Sequence, residues 1–227
     1  MTPQHVDILF QLIVFLFAIS VHESAHAWMA NLRGDPTARM LGRVTLNPIK
    51  HIDPLGTIVL PLVAMLAHIP VLGWAKPTPV DPRNFKNHVL DDILTAVAGP
   101  VSNFLVATLA VLALVSIRHA SPAGQEIIYG IPSGEISPQA GSLLVPMCLL
   151  LYQLMVINIV LAVFNLIPVP PLDGSHVLRH FLPGPALRVY DTVGTFGLMA
   201  LVFFGGNLLF SLISPFLYFF TYLMFRI

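Results

Sequence analysis

The chain has 227 residues, 56% of them hydrophobic and only 10% charged, with mean hydropathy +0.82, where an ordinary soluble domain carries roughly a quarter charged residues. Lys plus Arg and Asp plus Glu each number 11, which excludes both a cationic field for nucleic acid and an acidic solvating tail. A single cysteine, Cys148, excludes an intrachain disulfide and a multi-thiolate metal site, so any metal must be held by His, Asp or Glu.

Crossing a hydrocarbon core of about 30 Å takes roughly 20 mostly apolar residues at helical rise. The first stretch of that kind, residues 6–30, has an unbroken apolar half followed by a polar, ionisable half. It lacks the basic start and small-residue cleavage site of a signal peptide, so it is expected to stay in the mature protein. The second, residues 55–72, carries Pro61, His68 and Pro70 and should be kinked or broken. The third, residues 93–117, contains AGPVSN and then a clean apolar run. The fourth, residues 143–167, is apolar apart from Gln153, Asn158 and Asn165 and stops at the prolines from Pro168. From residue 193 to 225 the chain stays largely apolar, interrupted by Gly205, Gly206 and Pro215, which predicts one span followed by a shorter helix. The segment ARMLGRVTLNP, between the first two stretches, has a weak alternation that predicts a small β-hairpin at the membrane edge.

Basic residues of short loops favour the cytoplasmic side. Residues 31–53, 73–92 and 168–191 carry them, whereas 118–141 holds only Arg118. The first three segments are therefore expected inside and the fourth outside. Both flanks of 55–72 then lie on one face, which predicts a re-entrant segment. The fold class expected is an all-α polytopic membrane protein, a bundle of about five transmembrane helices with that re-entrant segment and the hairpin.

Ionisable groups inside a membrane helix are costly and mark function by default. His22, Glu23 and His26 form H-E-x-x-H in the first stretch. The two imidazoles project from one helical face at the spacing that lets them share a zinc, and Glu23, about 100° round the helix, can reach a water there as general base. An open catalytic zinc wants a third protein ligand. Candidates are His68, His176 and Asp173, with Asp7, His51 and Asp53 as outsiders. Asp173 is favoured because the proline cluster and Gly174 turn it back toward the bundle at the level of the imidazoles. Asn165 and Asn103 are amides that can support an oxyanion or cross-link helices, the second use being favoured for Asn103.

With these residues in place, the chain resembles the site-2 protease family of intramembrane zinc metalloproteases. The resemblance rests on HESAH, on AGPVSN and on FNLIPVPPLDG, which is similar to the family's N-x-x-P-x-P-x-x-D-G signature; GRVTLNPIKHIDPLGT and GWAKPTPV resemble its compact bacterial branch without PDZ or cystathionine-synthase-type domains. It implies one Zn2+ per chain held by His22, His26 and Asp173, with Glu23 as base and Asn165 helping to hold substrate or oxyanion. It further implies a single membrane-embedded domain over residues 1–227, with a catalytic core of about 6–180 and C-terminal helices of about 190–227. The expected activity is hydrolysis of peptide bonds in or next to transmembrane segments of membrane proteins, in the cell membrane near the cytoplasmic face, with the bilayer and a transmembrane protein substrate as partners. The rival readings are a membrane metal-ion transporter and an inactive relative that binds membrane segments.

Overall fold

The structure is a computed structural model and describes residues 3–59, 63, 74–132, 134 and 143–227. Among the described residues every regular element is helical and none is a strand. The helices are α1 (Pro3–Arg33), α2 (Thr37–Met40), α3 (His88–Ala120), α4 (Pro122–Gly130), α5 (Leu144–Asn165), α6 (Asp173–Arg179), α7 (Gly184–Phe204) and α8 (Gly206–Arg226). Among the described residues, four helical segments are long and apolar enough to cross a bilayer: Phe10–Arg33, His88–Ala120, Leu144–Asn165 and Gly206–Arg226. The bent pair Gly184–Gly194 and Phe196–Phe204, at 53°, makes a fifth if taken as one span.

The ends of these helices follow from local chemistry. At the end of α1 the Asp35 amide donates to Ala30 O at 2.9 Å and the Gly34 amide to Asn31 O at 3.3 Å, with Gly34 at φ +114°. This is the left-handed C-terminal closure that glycine adopts without steric cost. Asn87 caps α3 by accepting from the Leu90 amide, and Pro168, Pro170 and Pro171 stop α5 before α6 begins. Helices α1, α3 and α5 pack on one another as the central trio. The main apolar core joins Ala107, Val111 and Leu114 of α3 to Met155 and Ile159 of α5, with Ile127 and Ile128 of α4 and Phe220 and Met224 of α8 closing over it.

The β-hairpin expected around Val44 is not formed. The reason is that side chains capture the backbone groups of this region. Arg43, only 5% exposed, donates to the carbonyl oxygens of Lys50, Lys76 and Pro77. His51 donates to Thr45 O at 2.8 Å, and Asn47 accepts from the Ile49 amide. The weak alternation thus loses to the short helix α2 at Thr37–Met40 and to the side-chain bonds that hold Arg43, Thr45 and Asn47 in turns.

Of residues 55–72, only 55–59 and 63 are described. Pro54–Val59 forms a π-helical turn, started by Asp53 Oδ1 accepting from the Leu55 and Gly56 amides. The flanks of this stretch sit side by side: the Trp74 amide donates to Gly56 O at 3.2 Å, and Thr57 Oγ1 donates to Trp74 O at 2.8 Å. The C-terminal part also differs from expectation. Instead of one span and a shorter helix it holds two helices of 21 residues each, parted at Gly205, where a side chain would lie 2.4 Å from Leu201 O.

Candidate active site

Helical periodicity puts His22 and His26 on one face of α1, and that face is turned to α3, where both imidazoles are buried. Gly99 of α3 makes the approach possible, since a Cβ there would lie 2.4 Å from His26 Nε2 and 2.6 Å from His22 Cε1. The Nε2 atoms are 3.0 Å apart. Asp173, at the first position of α6, brings Oδ2 to 3.1 Å from His22 Nε2 and 3.4 Å from His26 Nε2. Gly174 lets α6 lie against the end of α5, where any side chain would meet Leu166 O at 2.2 Å.

The outer nitrogens fix which tautomer of the neutral rings is present. His26 Nδ1 lies 2.7 Å from Thr95 O, a group that can only accept, so that nitrogen carries the hydrogen and, in the neutral ring, Nε2 keeps its lone pair. His22 Nδ1 lies 2.6 Å from Asn103 Oδ1. Two lone pairs and a carboxylate oxygen therefore face one another in a buried space, and Asp173 Oδ2 has no hydrogen-bond partner. Such a cluster is unfavourable without a cation and suits one well. Zinc bonds of about 2.0–2.2 Å at tetrahedral angles separate ligand atoms by about 3.4 Å, close to the distances here.

Glu23 is half-buried and is gripped by the extended segment that follows Trp74. Its Oε2 accepts from the Thr78 amide at 2.8 Å and from Thr78 Oγ1 at 2.8 Å. The other oxygen, Oε1, has no donor among the described residues. That segment is tied down further along, where the Asp81 amide and Asn84 Nδ2 donate to the Asp35 carboxylate, each at 2.8 Å.

The other expected residues lie as follows. Asn165 is half-buried at the end of α5, and its Nδ2 donates to Leu161 O at 3.0 Å. Asn103 is the amide that reaches an imidazole, that of His22. His176 and His180 face Asp92 of α3, at 3.3 Å and 2.8 Å, and so clamp α6 to α3. His51 and Asp53 serve the turns described above, while His68 and the side chain of Asp7 lie outside the described residues. Thr78, Asp92 and Asn158 were not anticipated. Gly99 could have been found, because it stands one turn before Asn103 on the same face of an apolar helix.

Among the described residues, His22, His26 and Asp173 are the one group of three or more His, Cys, Asp or Glu side chains whose ligand atoms come within 4.8 Å of one another. The family model described as Peptidase family M50 matches residues 10–205. Two curated relatives are similar to the chain. "Putative zinc metalloprotease YwhC" of Bacillus subtilis is 39% identical over 180 residues, 79% of this chain and 72% of that protein. "Putative zinc metalloprotease Rip2" of Mycolicibacterium smegmatis is 26% identical over 191 residues, 83% of this chain and 63% of that protein, so the chain spans less than two thirds of that relative. No solved structure matches. The family match runs through the imidazole helix, the Gly99 face of α3 and the turn that carries Asp173, and the chain belongs to peptidase family M50, the site-2 protease family.

Proposed function

We propose that this multi-pass membrane protein is a zinc metalloendopeptidase that hydrolyses peptide bonds in or next to transmembrane segments, with one zinc held by His22, His26 and Asp173. The observation that carries the reading is the convergence of two buried imidazole nitrogens on a buried carboxylate oxygen that has no hydrogen-bond partner, in a chain of family M50. Bound there, zinc supplies a Lewis acid that polarises the scissile carbonyl and acidifies an attacking water.

The residues around it do the rest. Thr95 and Asn103 hold both imidazoles as ligands rather than as acids, and the Asp173 charge offsets part of the metal's where bulk water is scarce. Thr78 occupies Glu23 Oε2, so Oε1 is the oxygen that takes the proton from water and delivers it to the leaving amine. Asn165 holds the substrate backbone or its oxyanion. A substrate helix has its carbonyls engaged in internal hydrogen bonds and must unwind locally before it can react. The basic loops orient the protein in the cell membrane with this site near the cytoplasmic face. On either side of the residues not described, Gly56 O accepts from the Trp74 amide and Thr57 Oγ1 donates to Trp74 O, so the chain leaves and returns at one place. The whole chain acts as one membrane-embedded unit.

The test is Glu23→Gln in detergent-purified protein with a helical model substrate. Zinc content stays at the wild-type level and cleavage is lost. Hydrolysis at the wild-type rate would remove Glu23 from the role of base.

A further inference from the structure

Asn103 and Asn158 are both fully buried, in α3 and α5, within a bundle that offers them no bulk water. Burying two amides there is costly unless every polar atom is used. Their contacts form a single directed chain. Asn158 Nδ2 lies 2.8 Å from Leu154 O. Asn103 Nδ2 lies 2.7 Å from Asn158 Oδ1 and 3.2 Å from Ala18 O. Asn103 Oδ1 lies 2.6 Å from His22 Nδ1.

The direction of this chain is forced from its far end. A backbone carbonyl can only accept, so Leu154 O turns the Asn158 amide with nitrogen toward it and oxygen toward Asn103. That oxygen and Ala18 O, two acceptors, then claim both N–H groups of Asn103. Only Oδ1 of Asn103 is left to face His22, so His22 Nδ1 must carry a hydrogen, and in the neutral ring Nε2 then carries the lone pair. His26 reaches the same state through one backbone carbonyl, that of Thr95.

We propose that Asn103, locked in one amide orientation by Asn158, is a positioning residue that fixes the tautomer and ring orientation of His22 and so sets the zinc affinity of the site. The inference rests on the reading of His22 as a zinc ligand. Two asparagines that merely fasten helices together would add stability without touching metal affinity, whereas a partner on the outer nitrogen of a ligating imidazole is worth about 10- to 100-fold in affinity.

The experiment uses the full chain in detergent, with zinc affinity read by chelator competition and folding read by thermal unfolding of the metal-free protein. Asn103→Leu weakens zinc by about 10- to 100-fold. Asn158→Leu frees the Asn103 amide to rotate and gives a smaller loss in the same direction. The double variant is no weaker than Asn103→Leu alone, because Asn158 acts only through Asn103. Nitrogen-15 histidine NMR of the wild-type protein shows His22 protonated at Nδ1 with and without zinc, a readout that stands even if Asn103→Leu does not fold. Folded Asn103→Leu and Asn158→Leu proteins with wild-type zinc affinity would overturn the proposal, as would a His22 Nδ1 without its hydrogen. His22→Ala separates the two readings: if it too leaves zinc affinity unchanged, the ligand assignment has failed rather than the relay.

Discussion

Gly99→Ala is a one-methyl perturbation whose consequence can be worked from the structure. The new Cβ would stand 2.4 Å from His26 Nε2 and 2.6 Å from both His26 Cε1 and His22 Cε1, against an ordinary carbon contact of about 3.5 Å. Something must yield by about 1 Å. The rings cannot simply retreat, because Thr95 O holds His26 at 2.7 Å and Asn103 holds His22 at 2.6 Å. Metal–ligand distances tolerate only about 0.2 Å, so the movement required is several times what coordination allows. Overpacking of this kind costs about 1–3 kcal/mol, which corresponds to a zinc affinity weakened roughly 5- to 140-fold. Chelator competition on the purified protein measures it, with Gly206→Ala as the comparison, since nothing lies within 4 Å of a Cβ there. Gly99→Ala with wild-type zinc affinity and unchanged thermal unfolding would refute the reasoning, by showing that α1 and α3 have slack where the imidazoles meet.

Thr78→Val keeps the backbone donor to Glu23 Oε2 and deletes the hydroxyl one; the expected loss is about 1–2 kcal/mol of rate, seen as slower cleavage at unchanged zinc content, with Thr78→Ser restoring it, and a Val variant as fast as wild type would exclude the contact from catalysis. Asp92→Ala releases His176 and His180 and loosens the helix that presents Asp173. Because those imidazoles are partly exposed, the cost is about 1 kcal/mol, read as a severalfold weaker zinc affinity. An unchanged affinity would show that α6 is held by its other contacts. Asp35 is raised by burial but lowered further by hydrogen bonds from Thr37, Asp81 and Asn84, so its folded pKa lies below the ordinary carboxylate value. The stability it contributes is therefore complete above about pH 4 and is lost as pH falls through the folded value. Asp35→Asn should be less stable than wild type by about 2 kcal/mol near neutrality, and the gap in thermal midpoint should narrow in acid; a gap independent of pH would contradict the sign.

What the chain declares on its own is what depends on local periodicity and on composition. Apolar runs of bilayer length name the spanning helices, prolines after Ile167 end α5, and a four-residue interval puts His22 and His26 on one face. A lone cysteine removes thiolate sites before any fold is known. The same local signals failed where a long-range contact took over. Around Val44 a faint alternation was overruled by the guanidinium of Arg43, whose carbonyl partners at Lys76 and Pro77 lie far along the chain. At Gly205 the local break does hold, but it parts two helices of 21 residues each rather than a span from a shorter helix. Only packing brings Asp173 to 3.1 Å from His22, places Thr78 on Glu23, and chooses Asn103 rather than Asn165 to touch an imidazole. The reason is physical: helical period fixes direction about one axis, whereas the distance between two axes is decided by the residues that let them close, here Gly99 and Gly174, and by buried polar groups that can be satisfied in one arrangement only.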